Sequence, residues 1–194
     1  MSSGIDVWLL VVMLRAVITA RSTFLLDVII VASAWFCLLY IGADIEIHMS
    51  LQDLPLYCLI GFGVFVLSVV VTTQPTTYLA STLSSLKMAP RRTHQQALFC
   101  ALYTATAEEL MWRVTLQSIL SISLSPVLAI IIVAIVFTTL HRQRSAGFNH
   151  HLVEMLLFSM LLGTQYALTH DLLGVIAVHA IRNYLVTVQG SHHE

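Results

Sequence analysis

From Trp8 to Val188 the chain returns repeatedly to apolar runs close to the length of a bilayer crossing, with no polar block long enough to form a separate soluble domain. Few folds are open to such a chain. Inside hydrocarbon every backbone N–H and C=O must be satisfied within the protein, which leaves helices or a closed barrel. Runs of this length suit helices, at roughly 20 residues per crossing. Composition agrees: 58% of the 194 residues are hydrophobic and 10% are charged, against about half and a quarter in soluble domains, and mean hydropathy is +0.87. The expected fold is all-α: a polytopic transmembrane helical bundle of seven spans around a polar intramembrane cavity, formed by a single domain over residues 1–194.

Hydropathy places the spans near 5–20, 24–41, 56–73, 95–119, 126–141, 152–169 and 172–188. Arg15 and Asp27 interrupt the first two, and Arg21 reads as the bend of a tight hairpin. Val7 to Thr19 has neither the basic start nor the cleavage site of a signal peptide and reads as a retained span. Gln74 to His94, with Pro75, Lys87, Pro90, Arg91 and Arg92, forms a basic connector that suits an amphipathic surface helix. Lys and Arg in short loops stay on the cytoplasmic side. Arg21, the Lys87 to Arg92 group, and Arg142 with Arg144 fall in alternate loops, whereas loop 42–55 carries Asp44, Glu46 and Asp53 and no base. The amino terminus is therefore expected outside and the carboxyl terminus in the cytoplasm, in a prokaryotic cytoplasmic membrane. A net charge of -1 with scattered bases excludes nucleic acid as a partner. Cys37, Cys58 and Cys100 stand far apart in apolar surroundings and read as small buried hydrophobes.

The chemistry lies in three of these spans. Glu108, Glu109 and Arg113 sit in one apolar run, and an ionisable side chain at the centre of a membrane helix costs ~2.5–3.5 kcal/mol on insertion scales. Glu109 and Arg113 are four apart with the acid first, the order that favours an ion pair on one helix face. Glu108 is left over as the natural general base. His141 and His179 belong to two other spans, so three helices can converge on one polar site. His141 beside Glu108 would orient or help deprotonate a water. His179 and Asn183, also four apart, put an imidazole and a carboxamide on one face as two donors for an oxyanion.

Glu108 to Arg113 (EELMWR), Phe137 to His141 (FTTLH) and His179 to Asn183 (HAIRN) have the forms EExxxR, FxxxH and HxxxN, in that order. The set resembles the CPBP family of intramembrane proteases, whose relatives include the CAAX prenyl endopeptidases. The resemblance covers about Ala97 to Leu185, and the motif-bearing half is residues 95–189. It implies a glutamic-type peptidase in which Glu108 and His141 activate water, His179 and Asn183 bind the oxyanion, and Glu109 and Arg113 support them. No cofactor is expected. Zinc on Glu108, His141 and His179 is the less favoured alternative, since there is no HExxH and Asn183 is a poor zinc ligand but a good amide donor. The implied substrate is a membrane-anchored protein or peptide: a lipidated carboxyl terminus, a transmembrane sorting tail or a small membrane peptide.

Plainer readings stand beside these. The Glu108, Glu109 and Arg113 group can be a structural ion-pair network, His141 an interfacial helix end, and His179 with Asn183 polar glue between helices. His170 and Asp171 read as a solvated turn; His48, His150 and His151 read as loop residues. Phe137 reads as packing that shapes the site and Trp112 as a lipid-facing or interfacial aromatic, while Gly163, Gly174 and Ala177 permit close helix approach. The competing classes are a non-catalytic membrane scaffold or chaperone and a proton-linked transporter, the latter disfavoured by the lack of paired repeats. Geometry poses a puzzle: a fourth span starting near Gln95 puts Glu108 about 20 Å deep at 1.5 Å per residue, while His141 falls at the end of its own span.

Overall fold

The structure, a computed structural model, describes residues 50–72, 75–141 and 150–190, with Ala32 and His48 as isolated positions. The two expected amino-terminal spans, Cys37 and the 142–149 loop lie outside the described residues. Every element among the described residues is helical: α1 (Leu54–Thr72), α2 (Pro75–Met88), α3 (Arg91–Glu109), a π-helical stretch (Leu110–Gln117), α4 (Ser118–Ser123), α5 (Pro126–Leu140), α6 (His150–Thr169) and α7 (Leu172–Gly190). Four of the expected spans coincide with helices, α1, α5, α6 and α7. Leu152–Thr169 in α6 is long and apolar enough to cross a membrane; Leu54–Leu67, Pro126–Leu140 and Leu172–Val188 are shorter apolar stretches. The described residues thus form a helical bundle but do not establish seven crossings. Large apolar side chains such as Leu59, Phe62, Phe99, Ile135 and Leu157 face outward, the arrangement expected where hydrocarbon replaces water.

The expected fourth span is longer than hydropathy suggested. From Arg91 the chain runs as one rod through α3, the π-helical stretch and α4 to Ser123. Ser125 then caps α5, its side chain accepting from the Leu128 N–H at 3.3 Å, with Pro126 in the first turn where its missing N–H is harmless. The short turn folds α5 back, so positions equally distant from it meet: Leu116 shares a core with Val133, Trp112 packs on Phe137, and Glu108 reaches His141. Glu108 and His141 each stand about 16 residues from the turn, roughly 24 Å along their helices at 1.5 Å per residue. Because the rod runs far past the end of α5, His141 at the last turn of α5 lies level with Glu108 near the rod's middle.

Buried residues recur at every fourth position along this rod: Ala97, Ala101, Ala105, Glu109, Arg113 and Gln117. A fourfold stripe drifts by about 40° per step on a helix of 3.6 residues per turn. The wider i→i+5 turn of a π-helix reverses that drift and keeps Arg113 and Gln117 on the side the alanines have opened. Two hydroxyls support the wider turn by bonding five residues back: Thr115 donates to the Leu110 carbonyl at 2.8 Å and Ser118 to that of Arg113 at 3.3 Å. All of Met111 to Gln117 is buried.

α7 packs against α1, α2, α3 and α6. Gly61 of α1 lets it approach, since a Cβ there would lie 3.0 Å from the Val178 carbonyl oxygen. Gly174 accommodates the Tyr57 ring and Gly163 the Gln117 side chain, as their small size suggested. The expected surface helix is present as α2, but it also packs on α1 and α7, with Thr82 and Ser85 buried.

Three readings are corrected here. His150 and His151 begin α6 rather than lying in a loop. Cys100 is exposed rather than buried, and Cys58 is half-buried. In a chain apolar all round, apolar neighbours in sequence do not report which helix face is covered. Asp171 is 2% exposed rather than solvated: its Oδ1 caps α7 by accepting the Gly174 N–H at 3.1 Å. His170 takes the left-handed conformation, φ 50°, that ends α6, and the His48 backbone bonds to both sides of this turn, at 2.8 and 3.0 Å.

Candidate active site

Glu109 is the hub of the polar cluster. Its Oε2 accepts from Nε of Arg113 at 3.1 Å, the expected i,i+4 pair, and its Oε1 lies 2.6 Å from Nδ1 of His179 on α7. Arg113 in turn donates from Nη2 to the Ser159 hydroxyl on α6 at 2.9 Å. The three charged or ionisable side chains are sealed, with exposures of 0, 0 and 3% for Glu109, Arg113 and His179. One carboxylate and one guanidinium therefore tie the rod to α7 and α6, and each buried charge has a partner of opposite sign or a hydrogen bond.

Glu108 is the open side of the same cluster, its side chain 27% exposed. Oε1 stands 3.5 Å from Nε2 of His141 and Oε2 stands 3.6 Å from Nε2 of His179. The other nitrogen of each ring is committed elsewhere. Nδ1 of His141 is 2.8 Å from the Phe137 carbonyl oxygen, which can only accept, and Nδ1 of His179 faces Glu109. These partners assign the ring protons to Nδ1, leaving both Nε2 atoms to Glu108.

Aromatic rings hold both imidazoles. Phe137 stacks on His141 with centroids 4.0 Å apart and an interplanar angle of 28°, the histidine standing four residues on at the C-cap of α5. Phe137 and Phe158 meet His179 edge-on at 6.3 and 5.2 Å. Phe137 thus packs against both imidazoles. Trp112 is corrected: it is 2% exposed and packs edge-on against Phe137 at 5.8 Å instead of facing lipid, because the π-helical stretch is covered on every side.

Glu108, Glu109, Arg113, Phe137, His141 and His179 are thus brought together. Asn183 stands one turn beyond His179 on α7, half-buried, and its Oδ1 accepts from Nη1 of Arg182 at 3.4 Å. Arg182 itself holds Glu154 of α6 through Nε and Nη2, at 3.0 and 2.6 Å. Neither Arg182, Glu154 nor Ser159 was singled out in the sequence. The first two carried a signal, opposite charges inside separate apolar spans, which are costly unless paired; a lone serine carries none. No group of three or more His, Cys, Asp or Glu side chains among the described residues is arranged to hold a metal ion.

Among the described residues, helices with apolar outer faces around a sealed acid, imidazole and guanidinium cluster fit a class: a helical bundle of the membrane-embedded kind with a polar site between its helices. Compared with known protein families, residues 91–185 match the one described as type II CAAX prenyl endopeptidase Rce1-like. This stretch, which contains all three motifs, belongs to that membrane-embedded protease family, in keeping with the CPBP resemblance. No curated protein and no solved structure matches the chain.

Proposed function

We propose that the protein is an intramembrane endopeptidase that hydrolyses a peptide bond of a membrane-anchored substrate, using a water activated by Glu108 and His141. The observation that carries this reading is the presentation of two imidazole Nε2 atoms to the two oxygens of one partly exposed carboxylate, at 3.5 and 3.6 Å. A carboxylate and a ring lone pair around one point form a place for a molecule with two hydrogens to donate. Water bound there gives a proton to Glu108 as its oxygen attacks the scissile carbonyl carbon. The carbonyl electrons move to oxygen, and the amide of Asn183 would donate to that oxyanion. Collapse breaks the C–N bond as Glu108 returns the proton to the leaving nitrogen. With Nδ1 committed to Glu109, Nε2 of His179 faces Glu108, and as an N–H it would donate beside Asn183 to the oxyanion.

The substrate we infer carries a lipidated carboxyl terminus or a transmembrane tail, presented from the basic side formed by Lys87, Arg91 and Arg92, taken as cytoplasmic. Zinc on Glu108, His141 and His179 is the less favoured alternative: no three such side chains among the described residues are arranged to hold a metal ion.

The test is cleavage of lipidated and transmembrane reporter peptides by purified protein in detergent, comparing wild type with Glu108→Ala and His179→Ala, with and without a chelator. Cleavage lost in both variants and indifferent to chelation supports the glutamate mechanism. Chelator-sensitive cleavage transfers the chemistry to zinc. Inactivity on every reporter moves the reading to a non-catalytic scaffold.

A further inference from the structure

Arg182 lies inside the third motif, yet the peptidase reading gives it no task. It is 8% exposed, and its guanidinium is fully engaged. Nε and Nη2 both reach Oε1 of Glu154, Nη2 also lies 3.3 Å from the Met155 sulfur, and the group stacks over the Phe158 ring at 4.8 Å. The remaining nitrogen, Nη1, is 3.4 Å from Oδ1 of Asn183. A guanidinium carries donors only, so whatever end of the Asn183 carboxamide faces it must be the oxygen. The amide nitrogen is then held at the opposite end.

From this geometry we infer that Arg182 is a positioning residue: anchored by Glu154 and Phe158, it fixes the carboxamide of Asn183 with its oxygen turned away and its N–H group free to donate. A carboxamide flips readily between its two near-isosteric orientations, and in the wrong one Asn183 would point a lone pair at a developing oxyanion. The rigid fork of arginine prevents the flip, because it bonds the acid and the amide at the same time; a lysine ammonium lacks that fork. Phe158 contributes twice, covering the guanidinium and meeting His179 edge-on, so the two candidate donors share one support. The inference rests on the peptidase reading only for its consequence in catalysis; the orientation itself can be measured without activity.

Two measurements decide it. The chain has two asparagines, Asn149 and Asn183, so selective 15N-asparagine labelling gives two carboxamide signals, assigned with Asn183→Ala. Arg182→Lys keeps a cation beside Glu154 and should shift the Asn183 side-chain signals while leaving those of Asn149 in place. Unchanged signals overturn the inference. In the reporter assay, Asn183→Ala should lower kcat by about 10²–10³-fold, the usual effect of removing an oxyanion donor, and Arg182→Lys by about tenfold or more, with KM unchanged. In the Asn183→Ala background Arg182→Lys should have no further effect, because Arg182 acts through the amide. An equal loss in both backgrounds would reduce Arg182 to a structural ion pair. Asn183→Asp, which keeps an acceptor for Arg182 but has no N–H, should fold normally and lose kcat; full activity there overturns the donor role. A wild type that cleaves no reporter sinks the peptidase reading alone, and the carboxamide signals still decide what Arg182 does.

Discussion

Glu109 and His179, 70 residues apart in the chain, meet through a 2.6 Å contact between Oε1 and Nδ1, and Arg113 holds the other oxygen of the same carboxylate. The acid that looked like a local ion-pair partner is therefore also the group that sets which nitrogen of His179 faces Glu108. An orienting carboxylate behind an imidazole fixes its tautomer and its direction. The second glutamate of the EExxxR motif has a geometric reason to stand next to the first: one faces inward to the histidine's anchor, the other outward to its free nitrogen.

Glu109→Ala leaves the Arg113 charge buried without its acid, a change that costs about 3–5 kcal/mol in buried pairs. Replacing both members, Glu109→Leu with Arg113→Met, is expected to cost less than Glu109→Ala alone because no orphaned charge remains. Thermal unfolding in detergent checks the order; a double variant less stable than the single would show that the pair itself, not the avoidance of a lone charge, holds the bundle.

Removing the Ser159 hydroxyl takes away a hydrogen bond to the sealed Arg113 guanidinium. Bonds to charged groups contribute about 1.5–3 kcal/mol, so Ser159→Ala should lower stability by that order, whereas Ser123→Ala, at the exposed end of α4, should be close to neutral. Equal unfolding temperatures for wild type and Ser159→Ala would refute the bond's importance.

Phe137→Ala empties a fully buried site, and such truncations cost about 3–5 kcal/mol. Phe137→Leu refills most of the volume but loses the stack on His141 and the edge contacts with Trp112 and His179. Its stability loss should be the smaller, while reporter cleavage should fall in both variants. A Leu variant with full cleavage would mean that stacking does not hold His141 for catalysis.

The glycines should grade themselves by what a methyl group meets. At Gly63 it meets nothing within 4 Å, and Gly63→Ala should be neutral or stabilising by up to about 1 kcal/mol through helix propensity. At Gly61 it presses on the Val178 backbone at 3.0 Å, and at Gly174 on the Tyr57 ring at 2.7 Å. Both should destabilise by about 1–3 kcal/mol, the usual cost of overpacking. Chemical denaturation of the three alanine variants would expose a wrong helix register if Gly63→Ala proved the worst.

Contacts within one helix were legible in the sequence. Glu109 with Arg113 and Phe137 with His141 are both four residues apart, and helix geometry alone brings such positions together. The meeting of Glu108 and His141 was expected, but its means was not: it follows from equal distances to the turn at Leu124 and Ser125, visible only once the rod is known to run unbroken from Arg91 to Ser123. Trp112 and Cys100 were misplaced for one reason. In a soluble helix the polar face shows which side is covered; where lipid and core are both apolar, that contrast vanishes.

The sequence by itself determined the helical, membrane-adapted character of the chain, the charged residues that cannot stand alone in apolar spans, and their pairing within a helical turn. It did so because hydrophobic burial, backbone satisfaction and helix periodicity are local properties. Tertiary structure decided that Glu109 anchors His179, that Ser159 closes the shell around Arg113, and that Arg182 is shared between Glu154 and Asn183. Those contacts depend on how each helix is rotated about its axis against its neighbours. That rotation is set by the summed packing of small residues such as Gly61 and Ala105 rather than by any spacing along the chain.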